Sequence, residues 1–426
     1  MKKDFSHNER FAELYKNWAS ENNITINQEA LNKFNSTPFP TLKDEDWRFT
    51  NVAPILKQDF SPTKINDTKI SIDDYAFFED SIKIVINNGF YDKTNSKIGE
   101  LPEGVIIKGF ANAINGNIEI ISEYLNGEKT NENAFELLNK LFATDGVFIQ
   151  IKDNVILERP VEVFFVSSAD DKPLMISPRN FIVLGKNSEA KIIFRNINLS
   201  GNFFFNYCNN VLAGENSNLQ FYEFRTEPTD AYFIGSTYND IKNSAVYNHY
   251  TFDLNGRLIR NNFRVDLNGE NIECHLYGFY VGQEKRHVDN HTYIAHNKPN
   301  CFSNEIYKGI LDNEAKAVFG GRIYVAKDSQ KTNAYQSNKT VLLSDKARID
   351  TKPQLEIYAD DVKCTHGATV GQLDKEMLFY IISRGIPKDK ARSMLISAFA
   401  ADVIEGVKIQ DLKEKINEMI LNVLDK

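Results

Sequence analysis

The strongest constraint on this chain is a stretch of roughly 200 residues, 147–358, in which no window carries a helical period. Short runs rich in Val, Ile, Phe and Tyr follow one another, broken by Asn-Gly, Gly-Asn and similar pairs. Around Phe263, Val265 and Leu267 the apolar residues alternate with Arg264, Asp266 and Asn268, as a half-buried strand requires. In 219–224 both faces are apolar, which suits a strand covered on two sides. Such a length exceeds an immunoglobulin-sized sandwich and leaves a large sandwich, a propeller or a solenoid. One recurrence favours the solenoid. The phrases GKNSEAKIIF, GENSNLQFYEF, IKNSAVYNHYTF, NGENIECHLYGF, LDNEAKAVFGGRI and LSDKARIDTKPQLEI each couple a small polar turn to alternating apolar residues. Read as one strand position per coil, they predict a repeat of about 20–25 residues and roughly eight to ten coils.

The flanks differ in texture. Residues 5–60 show helical spacing in Phe11, Leu14, Tyr15 and Trp18, then in Ile26, Ala30, Leu31 and Phe34, before Pro38 and Pro40 break the pattern. Residues 82–92 predict a strand entering a turn. Residues 131–146 predict a helix with Phe135, Leu138 and Phe142 on one face and Gly146 in the place of a C′ residue. After about residue 366 helices return: 375–384 stopped by Gly385, a second opened by Pro387, and a last amphipathic one carrying Leu412, Ile416, Ile420 and Leu424. The expected organisation is an N-terminal helical and mixed region (1–146), a β core (147–366) and a C-terminal helical region (367–426).

Composition excludes several function classes. Lys plus Arg number 50 and Asp plus Glu 58, a formal charge of −8, so a basic nucleic-acid footprint is not expected. No apolar run reaches the ~18–20 residues needed to span a bilayer, and the opening MKKDFSHNER lacks an apolar signal region. The four cysteines, Cys208, Cys274, Cys301 and Cys364, are too sparse for a disulfide framework. An ordered cytoplasmic protein is the expectation.

Chemistry concentrates in IYADDVKCTHGATVGQLD (357–374), where β texture gives way to helix. In an extended segment residues i and i+2 share a face, so Cys364 and His366 project together. Thiolate and imidazole on one side form half of a soft-metal site. Two ligands cannot close a tetrahedral site, so further donors must come from elsewhere in the fold or from a second chain. A buried thiol beside a hydrogen-bonded histidine produces the same spacing. His287, His291 and His296 form a second cluster, but without a helix or a zincin glutamate their spacing points to solvated or core-satisfied side chains. Asp360, Asp361 and Arg348 are what a carbohydrate-active β-helix enzyme would use. They lie at the end of the β region, not along its flank. No Walker A, GxGxxG or GxSxG sequence is present.

The block KCTHGATVGQLDKEMLFYIISRGIPKDKARSMLISAFAADVIE (363–405) resembles the C-terminal signature of the SufB/SufD family of the Suf iron–sulfur cluster assembly system, in its SufD form. The resemblance runs over 290–420 and returns in KDEDWRFTNV (43–52); 150–280 matches in texture only. Thr365 stands where Ser is common. The resemblance implies a right-handed parallel β-helix core with helical flanks. It also implies pairing with SufB, binding of the ATPase SufC through the C-terminal helices, and sulfur supply from a cysteine desulfurase and its transfer partner. Such a chain is a non-catalytic scaffold subunit that holds no cofactor alone and shares a transient iron or Fe–S cluster with SufB. The family's functional histidine falls on His366, facing a SufB cysteine, and Cys364 matches a neighbouring cysteine; a homodimer of the isolated chain is also compatible. Leu378, Phe379, Ile382, Arg384, Leu395 and Phe399, together with Ile381, are the SufC-docking candidates. The same helices carry more apolar residues than a two-helix hairpin buries alone, as a partner patch would.

Overall fold

The computed structural model describes residues 4–65, 68–115, 121, 132–170 and 172–424. Asn131, the first residue of the helix expected over 131–146, lies outside them. Between the helices Ala134–Phe142 and Lys375–Ser383 there is no helix among the described residues. The chain instead alternates between a 12-stranded and a 10-stranded sheet that face each other across a filled lumen. Strand Leu258–Leu267 lies in the first sheet, Glu273–Gly282 in the second, and His287–His296 in the first again. Like strands of successive coils pair parallel and in register, Leu258 with His287 and Glu273 with Phe302. This is a parallel β-solenoid.

The coil is longer than the predicted 20–25 residues. Val246 pairs with Glu273, Glu273 with Phe302, and Phe302 with Asn333, giving repeats of 27, 29 and 31 residues. Each coil has two polar turns of similar wording, and the recurrence in the sequence mixes them. GKNSE, GENSN and IKNSA turn from the first sheet to the second, whereas LDNEA turns back from the second to the first. The first kind is built on a residue with positive φ: Asn187 (55°), Asn216 (55°), Ser244 (54°), Asn271 (57°) and Asn300 (60°). Asparagine tolerates this left-handed conformation better than other non-glycine residues. The following serine closes the turn, Ser188 donating to the Gly185 carbonyl (2.8 Å) and Ser217 to that of Gly214 (2.7 Å). Asn216 donates to Asn187 (2.9 Å) and Asn187 to Asn154 (2.8 Å), so the turns also bond to one another up the solenoid.

The flanks cover the two outer faces. Helices Ser6–Glu21, Gln28–Ser36 and Ala134–Phe142 share one apolar cluster with Phe204, Tyr232, Ile234 and Leu258 of the first sheet. Helix Ala134–Phe142 starts on an Asn133/Glu136 capping box and ends at Ala143. Gly146 is therefore not its C′ residue. A Cβ at Gly146 would fall 2.1 Å from the Arg179 carbonyl oxygen, so the glycine serves a close backbone approach to the first sheet. The strand expected over 82–92 is a hairpin. Ile82–Asn87 joins the second sheet parallel to Val161–Ser168 and turns through Asn88 and Gly89, both at positive φ, into Phe90–Lys97.

The outer face of the second sheet is capped by helices Lys388–Gly406 and Gln410–Leu424. They bury Ile396, Val403, Leu412, Ile416 and Ile420 against Phe252, Phe279 and Ile310. Each such apolar side chain contributes about 1.5–3 kcal/mol on burial. That holds these two helices to the solenoid without help from Lys375–Ser383, which buries no residue at all. All four cysteines are free thiols, in keeping with their sparse spacing.

Candidate functional site

The solenoid ends in the strand Lys363–Gln372, the last of the second sheet, paired on one side only, with Asn333–Leu342. Among the described residues nothing pairs its other edge, so half of its backbone donors and acceptors face outward. Every residue of it except Cys364 is exposed. Tyr358 (61% exposed) and Val370 (45%) add an apolar rim. Natural sheets blunt such edges unless another strand is to be added.

His366 sits on this edge strand. Its ladder partner one coil back is Gln336, whose own partner is Glu305. All three lie on the lumen-facing alternation, and His366 is exposed because no further coil covers it. Cys364, on the same alternation, is half-buried against Ile323, Val325, Ala334 and Ala359. Burial pushes its thiol pKa up, so in the isolated chain it packs as a small apolar group more than it offers a thiolate. Asp361 pairs with Lys331 instead of with the imidazole, and Arg348 pairs with Asp350 at 2.6 Å. The carboxylates Asp360 and Asp361 are therefore not arranged with Arg348 as a hydrolase pair would be. Among the described residues no three His, Cys, Asp or Glu side chains converge as a metal site requires. His366 is thus an exposed imidazole at an open edge, and among the described residues no two further such donors converge on it.

The three upstream histidines separate. His287 and His291 lie on the outer face of strand His287–His296, with Asp289 between them, while His296 points inward. Asp289 is fully buried, binds Arg260 and Thr50 through one oxygen, and has His291 Nε2 3.1 Å from the other. Burial raises its pKa, but Arg260 and His291 outweigh burial and hold it well below the usual carboxylate range. Thr50 also meets His287 Nε2 at 2.8 Å. The Arg260 guanidinium stacks 3.6 Å from the Trp47 ring centroid and donates to the Asp46 carbonyl (2.7 Å). The segment KDEDWRFTNV thus anchors the N-terminal region to the solenoid through a buried charge. His296 Nε2 is 2.9 Å from the Ser303 hydroxyl, and burial lowers its pKa to about 3, so it is a neutral core histidine whose Nδ1 has no partner.

One feature of the lumen escaped the sequence. Arg225 and Asp253 are 2.5 Å apart inside the solenoid, with Glu223 3.1 Å from His249 beside them and Tyr207 bonded to Arg225. On strands Asn218–Arg225 and Val246–Asp253 the outward residues Tyr222, Phe224, Tyr250 and Phe252 are also apolar, so polarity did not mark the outside. The signal available was one charged residue at the same alternation on consecutive strands.

The docking candidates divide by exposure. Phe379 (73% exposed), Ile382 and Arg384 face solvent, with Met377 and Tyr380 beside them. Arg384 donates to the Tyr380 hydroxyl (3.0 Å). Leu378, Ile381 and Leu395 are half-buried. Phe399 turns to the solenoid, its ring 6.5 Å from that of Phe279 and under the Lys308 ammonium. Asp374 caps Lys375–Ser383 by accepting from the amides of Glu376 and Met377, both at 2.9 Å. The helix is well formed and apolar, packs along Lys388–Gly406 and buries none of its residues. No helix among them is long and apolar enough to cross a membrane.

The chain has matches among known proteins. Residues 164–399 match the family model described as SUF system FeS cluster assembly, SufBD core domain, and residues 5–163 match the SufBD protein N-terminal region. The iron–sulfur cluster assembly protein SufD of Escherichia coli is 30% identical over 91% of this chain and 90% of its own length. An iron–sulfur cluster assembly SufBD family protein of Synechocystis sp. is 30% identical over 94% and 91%. SufD of Bacillus subtilis is 25% identical over 96% and 95%. With the two family models spanning core and flank alike, this chain belongs to the SufBD family of SUF-system iron–sulfur cluster assembly proteins.

Proposed function

We propose that this chain is the SufD-type subunit of an assembly scaffold. In this reading the edge strand Lys363–Gln372 pairs with a SufB chain, and the exposed helix Lys375–Ser383 with its neighbour docks the ATPase SufC. His366 presents one imidazole nitrogen to iron or to the nascent Fe–S cluster, the cargo of the complex, and the partner supplies the remaining donors, a cysteine among them. ATP-driven movement of SufC then rearranges the interface on which His366 lies. Sulfur reaches the complex from a cysteine desulfurase and its transfer protein. The chain itself contributes position and a ligand, not a catalytic step.

The observation that carries this reading is a single exposed histidine on a ten-residue strand paired on one side only. A buried histidine would serve the core, whereas one on an open edge strand lies beside any strand that a second chain adds. The test is co-purification. Val370→Asp and Tyr358→Asp place charges on exposed rim positions, so the isolated chain should melt as the wild type does, while recovery of SufB from co-expressed lysate should fall at least tenfold. Wild-type recovery of SufB by both variants would move the interface elsewhere.

A further inference from the structure

The lumen-facing column that ends at His366 is polar over its last three rungs, and Leu276 separates these from His249 further back. Leu276 pairs with Glu305, Glu305 with Gln336, and Gln336 with His366. Glu305 is fully buried and Gln336 nearly so. The Gln336 amide is not free to turn, because its Nε2 donates to Glu305 Oε2 at 2.7 Å. That bond directs the NH2 end toward the preceding coil and leaves the carbonyl end turned away from Glu305. This Oε1 is buried and has no hydrogen-bond partner. A buried acceptor without a donor costs about 1–3 kcal/mol, so an orphan at such a place calls for one.

The wall opposite has been cleared for the amide. A Cβ at Gly321 would lie 2.4 Å from Gln336 Nε2 and 2.8 Å from its Cδ. Gly321 sits at ordinary φ, so space, not backbone conformation, is what demands glycine there. The next rung of the column is His366, roughly 4.8 Å further along the solenoid axis. A neutral imidazole always carries one N–H, and two side-chain torsions set where it points.

We propose that Gln336, oriented by Glu305, is a positioning residue for His366: its side-chain carbonyl accepts the ring N–H and leaves the other ring nitrogen facing the open edge. This rests on the reading of His366 as the functional histidine. Carboxylates and carbonyls behind metal-binding histidines fix the tautomer and the ring orientation in this way, and here the lumen supplies the carbonyl. Glu305 suits the role in either protonation state, since a carboxyl and a carboxylate both keep an oxygen that accepts from the amide.

The test is tautomer-resolved 15N–1H correlation spectroscopy of the full chain labelled at histidine, with the His366 ring signal identified by its loss in His366→Asn. The wild type should show one dominant tautomer. Gln336→Met should convert that signal to the averaged pattern of a free imidazole, and Glu305→Ala should do the same by releasing the amide. Glu305→Gln, which still offers an acceptor, should keep the single tautomer. Gln336→Met and Glu305→Ala spectra identical to wild type would overturn the proposal, as would wild-type spectra from whichever of the two variants folds. A merely structural role would lower the melting temperature without moving the His366 ring signal. Cluster maturation by His366→Ala is a separate readout. Its persistence would defeat the functional reading of His366 even if the tautomer responds as expected.

Discussion

Glu305 shows how far a single lumenal carboxyl departs from its surface behaviour. Burial lifts its pKa from 4.5 to about 7, against the pull of Thr292 and Gln336, and Tyr307 and Cys274 are the other titratable groups that face it. Between those two values the folded chain keeps a proton that the unfolded chain releases. The stability tied to this group is therefore complete below about pH 4.5 and lost as pH rises through about 7. The difference is on the order of 3 kcal/mol. Glu305→Gln should melt like the wild type at pH 4.5 and several degrees higher at pH 8, in scans at both values; an equal melting temperature at pH 8 would show that the carboxyl is not desolvated. His296 works in the opposite sense, its lowered pKa making the fold lose stability as pH falls below about 6.5.

The same residues show what could be read from the sequence. His366 and Cys364 were legible because their chemistry is rare and their i, i+2 spacing gives a shared face in any strand. Gln336 and Glu305 were not. Their meaning comes from register between coils 30 and 31 residues apart, which appears only once the ladder is known. The anchoring of Thr50 to Asp289 is equally non-local, joining positions 239 residues apart.

At the scale of elements, absence of a helical period located the solenoid, but the coil length came out short. Two turns per coil share Asn- and Ser-rich wording, so a linear count merges them. The lumen was hidden for a related reason. Helices Lys388–Gly406 and Gln410–Leu424 cover the outside of the second sheet, making outward Tyr250 and Phe252 as apolar as a core residue and leaving His249 and Asp253 inside. The C-terminal helices were legible because Gln410–Leu424 places its apolar residues at helical spacing, and because Gly385 ends one helix and Pro387 opens the next. Their surplus of apolar residues resolves into a pair docked on the solenoid and a third helix, Lys375–Ser383, that packs along Lys388–Gly406 and buries no residue. Phe379→Asp should abolish SufC pull-down and leave the melting temperature within about a degree of wild type, because an exposed side chain contributes little to the fold. Wild-type SufC binding would place the docking surface on another element.

Across the whole molecule, the two outer faces of the solenoid are covered by the chain's own flanks, while its C-terminal end is left open. The N-terminal region is clamped over the first sheet by the buried Arg260–Asp289 pair. Removing one partner of such a pair typically costs about 3–5 kcal/mol, since the other charge is left buried alone. In the proposed reading that rigidity would help the open edge present His366 in a fixed place to a second chain. The most direct test is anaerobic measurement of iron and acid-labile sulfide in the complex of this chain with SufB and SufC, comparing wild type with His366→Ala. The account predicts an intact complex of unchanged melting temperature with iron and sulfide reduced severalfold. An intact His366→Ala complex that carries wild-type iron and sulfide would contradict it.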